Sequence, residues 1–201
     1  MNKLELKQVS PYLPYRLNWQ ASKNQFDFGK TEILEMVGVN NDKGLDIDFL
    51  FKDDLVFLSS LRPIKAILRP LSDLTKEIEQ NGKKFVPAQI LHRIGSEGLL
   101  DPFDSQYRRY KGKYNINEFE DAGYNVLRVS TQDKKYGVIE ISYAIEDTDG
   151  VSFYYSRNQN EKYIAGGCLE QYQLYQRLFE WHFDIFGLIE KKLAVDINTI
   201  K

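Results

Sequence analysis

Two aspartates, Asp46 and Asp48, stand at alternate positions in the strictly alternating run Leu45-Asp46-Ile47-Asp48-Phe49. Successive side chains of a strand point to opposite faces, so this spacing puts both carboxylates on one face, where they can hold a Mg²⁺. A half-exposed strand with its acids toward water shows the same pattern. A second constellation is the basic-aromatic run Tyr107-Arg108-Arg109-Tyr110-Lys111-Gly112-Lys113-Tyr114. Arginine and lysine neutralise phosphates and tyrosine stacks on unpaired bases, which is the chemistry of single-stranded nucleic acid binding. An ordinary solvated loop has the same composition. A third candidate is Cys168, which follows Gly166-Gly167 at the head of a predicted helix. Backbone N–H groups at a helix start lower a thiol pKa. Its base would have to be His92 or His182. On a continuous helix His182 lies about 21 Å from Cys168, at 1.5 Å per residue, and cannot serve.

Other chemistries lack their residues. Two histidines and one cysteine make no tetrahedral zinc site without carboxylates, and no CxxC, HExxH or HxH spacing occurs. Neither GxxxxGK[ST] nor a GxGxxG after a strand is present. No cofactor is therefore expected, and the balance leans away from an enzyme.

The elements that must position these residues begin with the totals. The 201 residues suffice for one well-cored domain, and the hydrophobic and charged fractions, 42% and 28%, are those of a globular protein. A net charge of −2 gives no global attraction for nucleic acid or an anionic membrane. The single cysteine rules out an intrachain disulfide and points to a reducing cytoplasm. Residues 1–10 lack the apolar core of a signal peptide, and no apolar run approaches the roughly 20 residues that span a bilayer. Aromatic residues are abundant: 13 Tyr, 12 Phe and 2 Trp. They fill a core or form a binding surface.

Alternation in Tyr15–Trp19, Glu32–Val37 and Leu45–Phe49, with the turn signal Asn40–Gly44, predicts an N-terminal β-meander, with a short strand at Ile64–Leu68. Leu71, Leu74 and Ile78 fall at i, i+3 and i+7, which predicts a helix ended by Asn81-Gly82. A short helix from Pro87 to Gly95 follows. Residues 95–123 read as a long connection and hold the only candidate lobe boundary in what is otherwise a single domain over 1–201. Runs at 124–129, 138–143 and 151–155 predict three antiparallel strands, with Asp149-Gly150 as a hairpin turn. Over 168–186 the residues Cys168, Tyr172, Tyr175, Phe179, His182 and Phe186 form one helical stripe, and Leu174, Leu178, Trp181 and Ile185 the next. This predicts a long buried helix, capped by Gly187. A short element at 188–193 and an extended tail follow. The expected fold is α+β: an N-terminal antiparallel meander, short helices in the middle, and a C-terminal antiparallel sheet packed by the long helix.

Two resemblances add to these readings. The string Gly44–Phe49 is similar to the metal-binding strand of nucleotidyltransferases, which implies a Mg²⁺-dependent enzyme using Asp46 and Asp48. Those enzymes also carry a Gly-Ser pair upstream at a helix start, where this chain has Gly38-Val39. The strings Pro11-Tyr12-Leu13-Pro14-Tyr15, Leu68–Ile78 with Phe85-Val86-Pro87, and Glu180–Glu190 together resemble a family of uncharacterised phage and prophage proteins of gut anaerobic bacteria. That resemblance covers both ends and the first predicted helix, not roughly 95–165. It implies phage origin and no particular activity.

Three functions compete. The first is a non-enzymatic phage-related protein acting through contacts with a protein partner or a second copy, in assembly, structure or modulation of the host. It would work in the bacterial cytoplasm or on the virion, with no membrane partner. The second is a nucleic-acid-binding protein using Tyr107, Arg108, Arg109, Tyr110, Lys111 and Lys113. The third is the Mg²⁺ enzyme of Asp46 and Asp48.

Overall fold

The computed structural model describes residues 4–21, 32–40, 46–51, 54–59, 64–97, 114–121, 124–133, 137–146, 150–159, 162–168 and 171–200. The chain divides into two compact units. The first comprises 1–71 and 178–201, and the second, 72–177, lies between those halves in sequence.

The first unit begins with a four-residue helix α1 (Leu6–Val9) that runs into a 3₁₀ helix, Ser10–Tyr15. Pro11 and Pro14 fix φ there, and Arg16 ends the segment in the left-handed region with φ 53°. Six strands follow in one sheet: β1 (Asn18–Ala21), β2 (Glu32–Asn40), β3 (Asp46–Phe51), β4 (Asp54–Ser59), β5 (Lys65–Leu68) and, from the far end of the chain, β13 (Ala194–Asp196). Their spatial order is β13-β5-β1-β2-β3-β4. All pairs are antiparallel except β13 with β5, which is parallel. The alternation seen in sequence has its physical counterpart here. Trp19 and Ala21 of β1 and Leu34 and Met36 of β2 are buried, while Asn18, Ile33 and Val37 are exposed. The core gathers Val9, Tyr12, Leu17, Trp19, Leu34, Met36, Leu68 and Leu188, with Leu13, Phe179 and Phe186 packed against it.

The second unit holds a five-stranded antiparallel meander: β8 (Tyr114–Asp121), β9 (Tyr124–Asp133), β10 (Gly137–Glu146), β11 (Gly150–Gln159) and β12 (Lys162–Cys168), each strand beside its sequence neighbours. Helix α2 (Pro87–Glu97) packs against β9 and β10, and buries Ala88, Leu91 and His92. The three predicted strands at 124–155 are β9, β10 and β11, and the α+β composition agrees with expectation. The strands at both ends of the predicted order are present as well.

Two predicted helices differ. Residues 71–75 form a 3₁₀ turn, and Ile78–Gln80 (β6) pairs with Lys83–Phe85 (β7) as a hairpin. Asn81 and Gly82 both have positive φ, 52° and 72°, and link the paired residues Gln80 and Lys83. That is the backbone an Asn-Gly hairpin turn demands, and it outweighs a three-residue helical spacing. Leu74 and Ile78 are buried as the helical pattern required, but a turn and a strand bury them instead of a helix.

The expected long helix over 168–186 is α3, Gln171–Glu180, ten residues long. Its predicted first residue is strand: Cys168 pairs with Tyr154, after Gly166 and Gly167, which pair with Ser156 and Tyr155. Cys168 thus ends β12 rather than opening a helix. At the other end His182 turns left-handed, φ 58°, which stops the helix. Nor is α3 buried throughout, since Tyr172 is 68% exposed. Trp181, Phe183, Ile185 and Leu188 are buried in a string of turns.

Candidate functional site

A cluster of directed polar bonds forms where three distant segments of the first unit meet: the Pro11–Tyr15 turn, Arg69 after β5, and residues 182–189. Main-chain bonds lay the frame. Arg69 N–H donates to the His182 carbonyl and Asp184 N–H to the Arg69 carbonyl, each at 2.8 Å. Arg69 and Phe183 form a parallel bridge there.

Side chains then lock the frame. Tyr12 is fully buried, and its hydroxyl donates to the Phe183 carbonyl at 2.5 Å and accepts from Ile185 N–H at 3.5 Å. Burial pushes the Tyr12 phenol far above its ordinary pKa, with a small further push from Asp184, so it stays protonated. The ring of Tyr12 meets Phe179 edge-on, with centroids 5.0 Å apart, and Phe179 stacks with Phe186 at 6.2 Å. Asp184 is buried, and its two carboxylate oxygens accept from Leu188 and Ile189 N–H, both at 2.8 Å. Burial raises the Asp184 pKa, and those two bonds hold the rise back. His182 donates from Nε2 to the Tyr15 carbonyl at 2.8 Å. Burial lowers its pKa, the Tyr15 carbonyl opposes this, and the Arg69 charge adds to the lowering.

Chemically, this is a clasp. The phenol, the carboxylate and the imidazole Nε2 are all directed at main-chain groups of the protein itself. Buried polar groups bonded in this way fix one chain path.

The sequence residues named as candidate sites fall elsewhere. Tyr107, Arg108, Arg109, Tyr110, Lys111 and Lys113 lie outside the described residues. Asp46 and Asp48 take alternate positions on β3, opposite Ser59 and Phe57 of β4, and their side chains lie outside what the structure describes. Gly38 and Val39 are on β2, directly across from Asp48 and Ile47, and not at a helix start. Among the described residues, no group of three or more His, Cys, Asp or Glu side chains comes together as a metal site. No helix of the described residues is long and apolar enough to cross a membrane.

Of the clasp residues, His182 is weighed in the sequence only as a base for Cys168, and Tyr12 and Asp184 are not singled out by residue chemistry. Their signal is present all the same: Asp184 is a lone acid in the apolar run Trp181–Ile185, and Tyr12 sits between two prolines. All three strings that carry the phage-family resemblance contribute to the clasp, through Tyr12 and Tyr15, Arg69, and His182 to Ile189.

Exposed apolar residues are the other feature of note. On β2, Ile33 is 51% and Val37 37% exposed, on either side of Glu35. Glu35 bonds Arg16 at 3.0 Å. On α3, the exposed Tyr172 hydroxyl accepts from Gln176 one turn on.

Compared with protein-family models, with curated proteins and with solved structures, the chain matches none.

Proposed function

We propose that this chain is a non-enzymatic, phage-related protein that works through contacts with other proteins, as an assembly, structural or host-modulating component. The observation that carries the reading is the outward side of β2, where Ile33 and Val37 flank Glu35 while Leu34 and Met36 face the core. Apolar side chains scattered singly on a surface are ordinary, but two on one strand face around a charged residue have the make-up of a contact patch. The exposed Tyr172 ring belongs to a residue type enriched in interfaces. The clasp supports the non-enzymatic part, because its titratable groups serve the fold. Its place of action would be the bacterial cytoplasm or the virion.

The test compares the wild-type chain with Ile33→Asp/Val37→Asp. Light scattering at micromolar concentration reads self-association, and affinity capture from host lysate reads a heterologous partner. The reading requires a defined complex in one assay that the double variant loses while its melting curve is unchanged. A wild-type chain that stays monomeric and retains nothing the variant does not also retain would end it.

A further inference from the structure

The clasp contains one group whose charge can change near neutral pH, and it sits at the point where the chain is held. His182 belongs to three bonded contacts at once. Its N–H donates to the Phe179 carbonyl at 3.0 Å, its carbonyl accepts from Arg69 N–H at 2.8 Å, and its ring donates to the Tyr15 carbonyl at 2.8 Å. Its backbone is left-handed, a conformation uncommon for residues other than glycine. Downstream, the chain returns to the sheet. Leu193 and Ala194 N–H both donate to the Leu188 carbonyl, and the three residues of β13 then pair with Ala66–Leu68 of β5. A three-residue parallel strand at a sheet edge has little holding power of its own.

We propose that His182 is a proton-operated latch: uptake of one proton by its ring loosens the joint of Tyr15, Arg69 and residues 182–188, and frees β13 from the edge of β5. The ring is partly buried, so a charge there loses hydration. Of the groups in the segments that meet at it, the Tyr15 carbonyl favours the charged ring, and burial outweighs it. From β5 comes the Arg69 guanidinium, whose like charge opposes protonation. From the N-terminal turn come the Tyr15 carbonyl, already bonded to Nε2, and the neutral phenol of Tyr12. On its own segment, the Asp184 carboxylate is turned onto Leu188 and Ile189 N–H, and Glu180 is partly exposed at the end of α3. The pKa direction agrees with this geometry. The folded ring binds a proton less readily than the unfolded one, so its contribution to stability is complete above the unfolded pKa of about 6.5. It is lost as pH falls from there through the lowered folded value. Asp184, with its raised pKa, works with the opposite sign: its contribution is complete below its unfolded value and is lost as pH rises through its folded value. The acid-side loosening is therefore assigned to His182.

The opening exposes the β5 edge, a row of unpaired main-chain donors and acceptors that another strand can use. The latch thus couples acidity to edge availability, independently of the Ile33–Val37 patch. Hydrogen exchange read by mass spectrometry on peptides covering 183–196, corrected for the intrinsic rate at each pH, tests it on the full chain. Protection should fall severalfold, with about tenfold as the ceiling for one proton, between about pH 7.5 and pH 5.5, while β1 and β2 peptides hold theirs. His182→Gln places an amide donor near the position of the imidazole Nε2 for the Tyr15 carbonyl but does not titrate, so its protection should stay flat. Flat protection in the wild type, or an equal fall in the variant, overturns the latch. If the variant does not fold, the imidazole NMR signals decide, because the chain has only two histidines. His92→Gln assigns them. A His182 midpoint at or above the free-histidine value overturns the latch, and one below it, moving together with Ala194–Asp196 amide signals, upholds it.

Discussion

The two sheets are built by opposite rules. In the 72–177 unit every strand of the meander β8–β12 pairs with its neighbour in sequence. In the other unit β1 pairs with β2 on one side and with β5 on the other, and β5 pairs with β13, which the chain supplies only after the whole second unit has passed. A meander can form by adding hairpins, each closing a short loop. The β13-β5-β1 side must wait for chain segments far apart in sequence, and the closure entropy has to be met before those contacts form. The Tyr12, His182 and Asp184 clasp lies on that side and supplies directed bonds that a hairpin turn would otherwise supply. Local order relies on turns, and long-range order here relies on buried polar side chains.

Substitutions can break or sharpen that contrast. The largest effect is expected from Trp19→Ala, which empties a fully buried ring site where β1 meets the core, at a cost of about 3–5 kcal/mol in a urea melt. A loss under about 1 kcal/mol would show that the β1 side does not rest on this packing. Next is Asp184→Ala, which leaves Leu188 and Ile189 N–H without the carboxylate and should cost about 2–3 kcal/mol. It should also raise exchange at Leu193 and Ala194 before any other described amides of the first unit. Uniform loss across that unit would make Asp184 an ordinary core residue and not part of a long-range lock. Tyr12→Phe keeps the ring against Phe179 and removes only the hydroxyl from the Phe183 carbonyl, so about 1–2 kcal/mol is expected. No change would mean that the aromatic packing alone holds the clasp. The smallest effect belongs to the local side. A Cβ at Gly82 would meet nothing within 4 Å, so Gly82→Ala tests only the left-handed backbone, worth about 1 kcal/mol. If it cost as much as Asp184→Ala, the contrast between turn-built and clasp-built structure would fail.

The same contrast explains what could be read from sequence. The strands at 124–155 were legible because alternation and turn residues are local signals, and they set local pairings. Burial was legible further than conformation. Leu74 and Ile78 were expected inside and are inside, yet the Asn81-Gly82 turn makes them part of a hairpin. Trp181 and Ile185 were likewise expected to be buried and are, in turns rather than on a helix. Helical spacing over a few apolar positions shows that a segment has an inner side, but not how the backbone gets there. The parallel pairing of Ala194–Asp196 with β5 had no signal at all, because three residues carry no period. The clasp was visible only as three strings worth noticing. That they belong together is a fact of three dimensions, since Tyr12 and Phe183 are 171 positions apart.

The Arg69–Phe183 bridge has a consequence for what the chain can tolerate over evolutionary time. To the first unit, the 72–177 segment is a loop, and just outside it Arg69 and residues 182–184 are pinned together by main-chain bonds at 2.8 Å. The entropy of closing such a loop grows only with the logarithm of its length, so doubling it costs about 0.6 kcal/mol. Insertions, deletions or replacement of the 72–177 segment should therefore be cheap for the six-stranded sheet, provided the chain leaves after Leu71 and returns at Leu178. Among relatives of this protein, the segment between the pins is where length should vary most, and the pins themselves least.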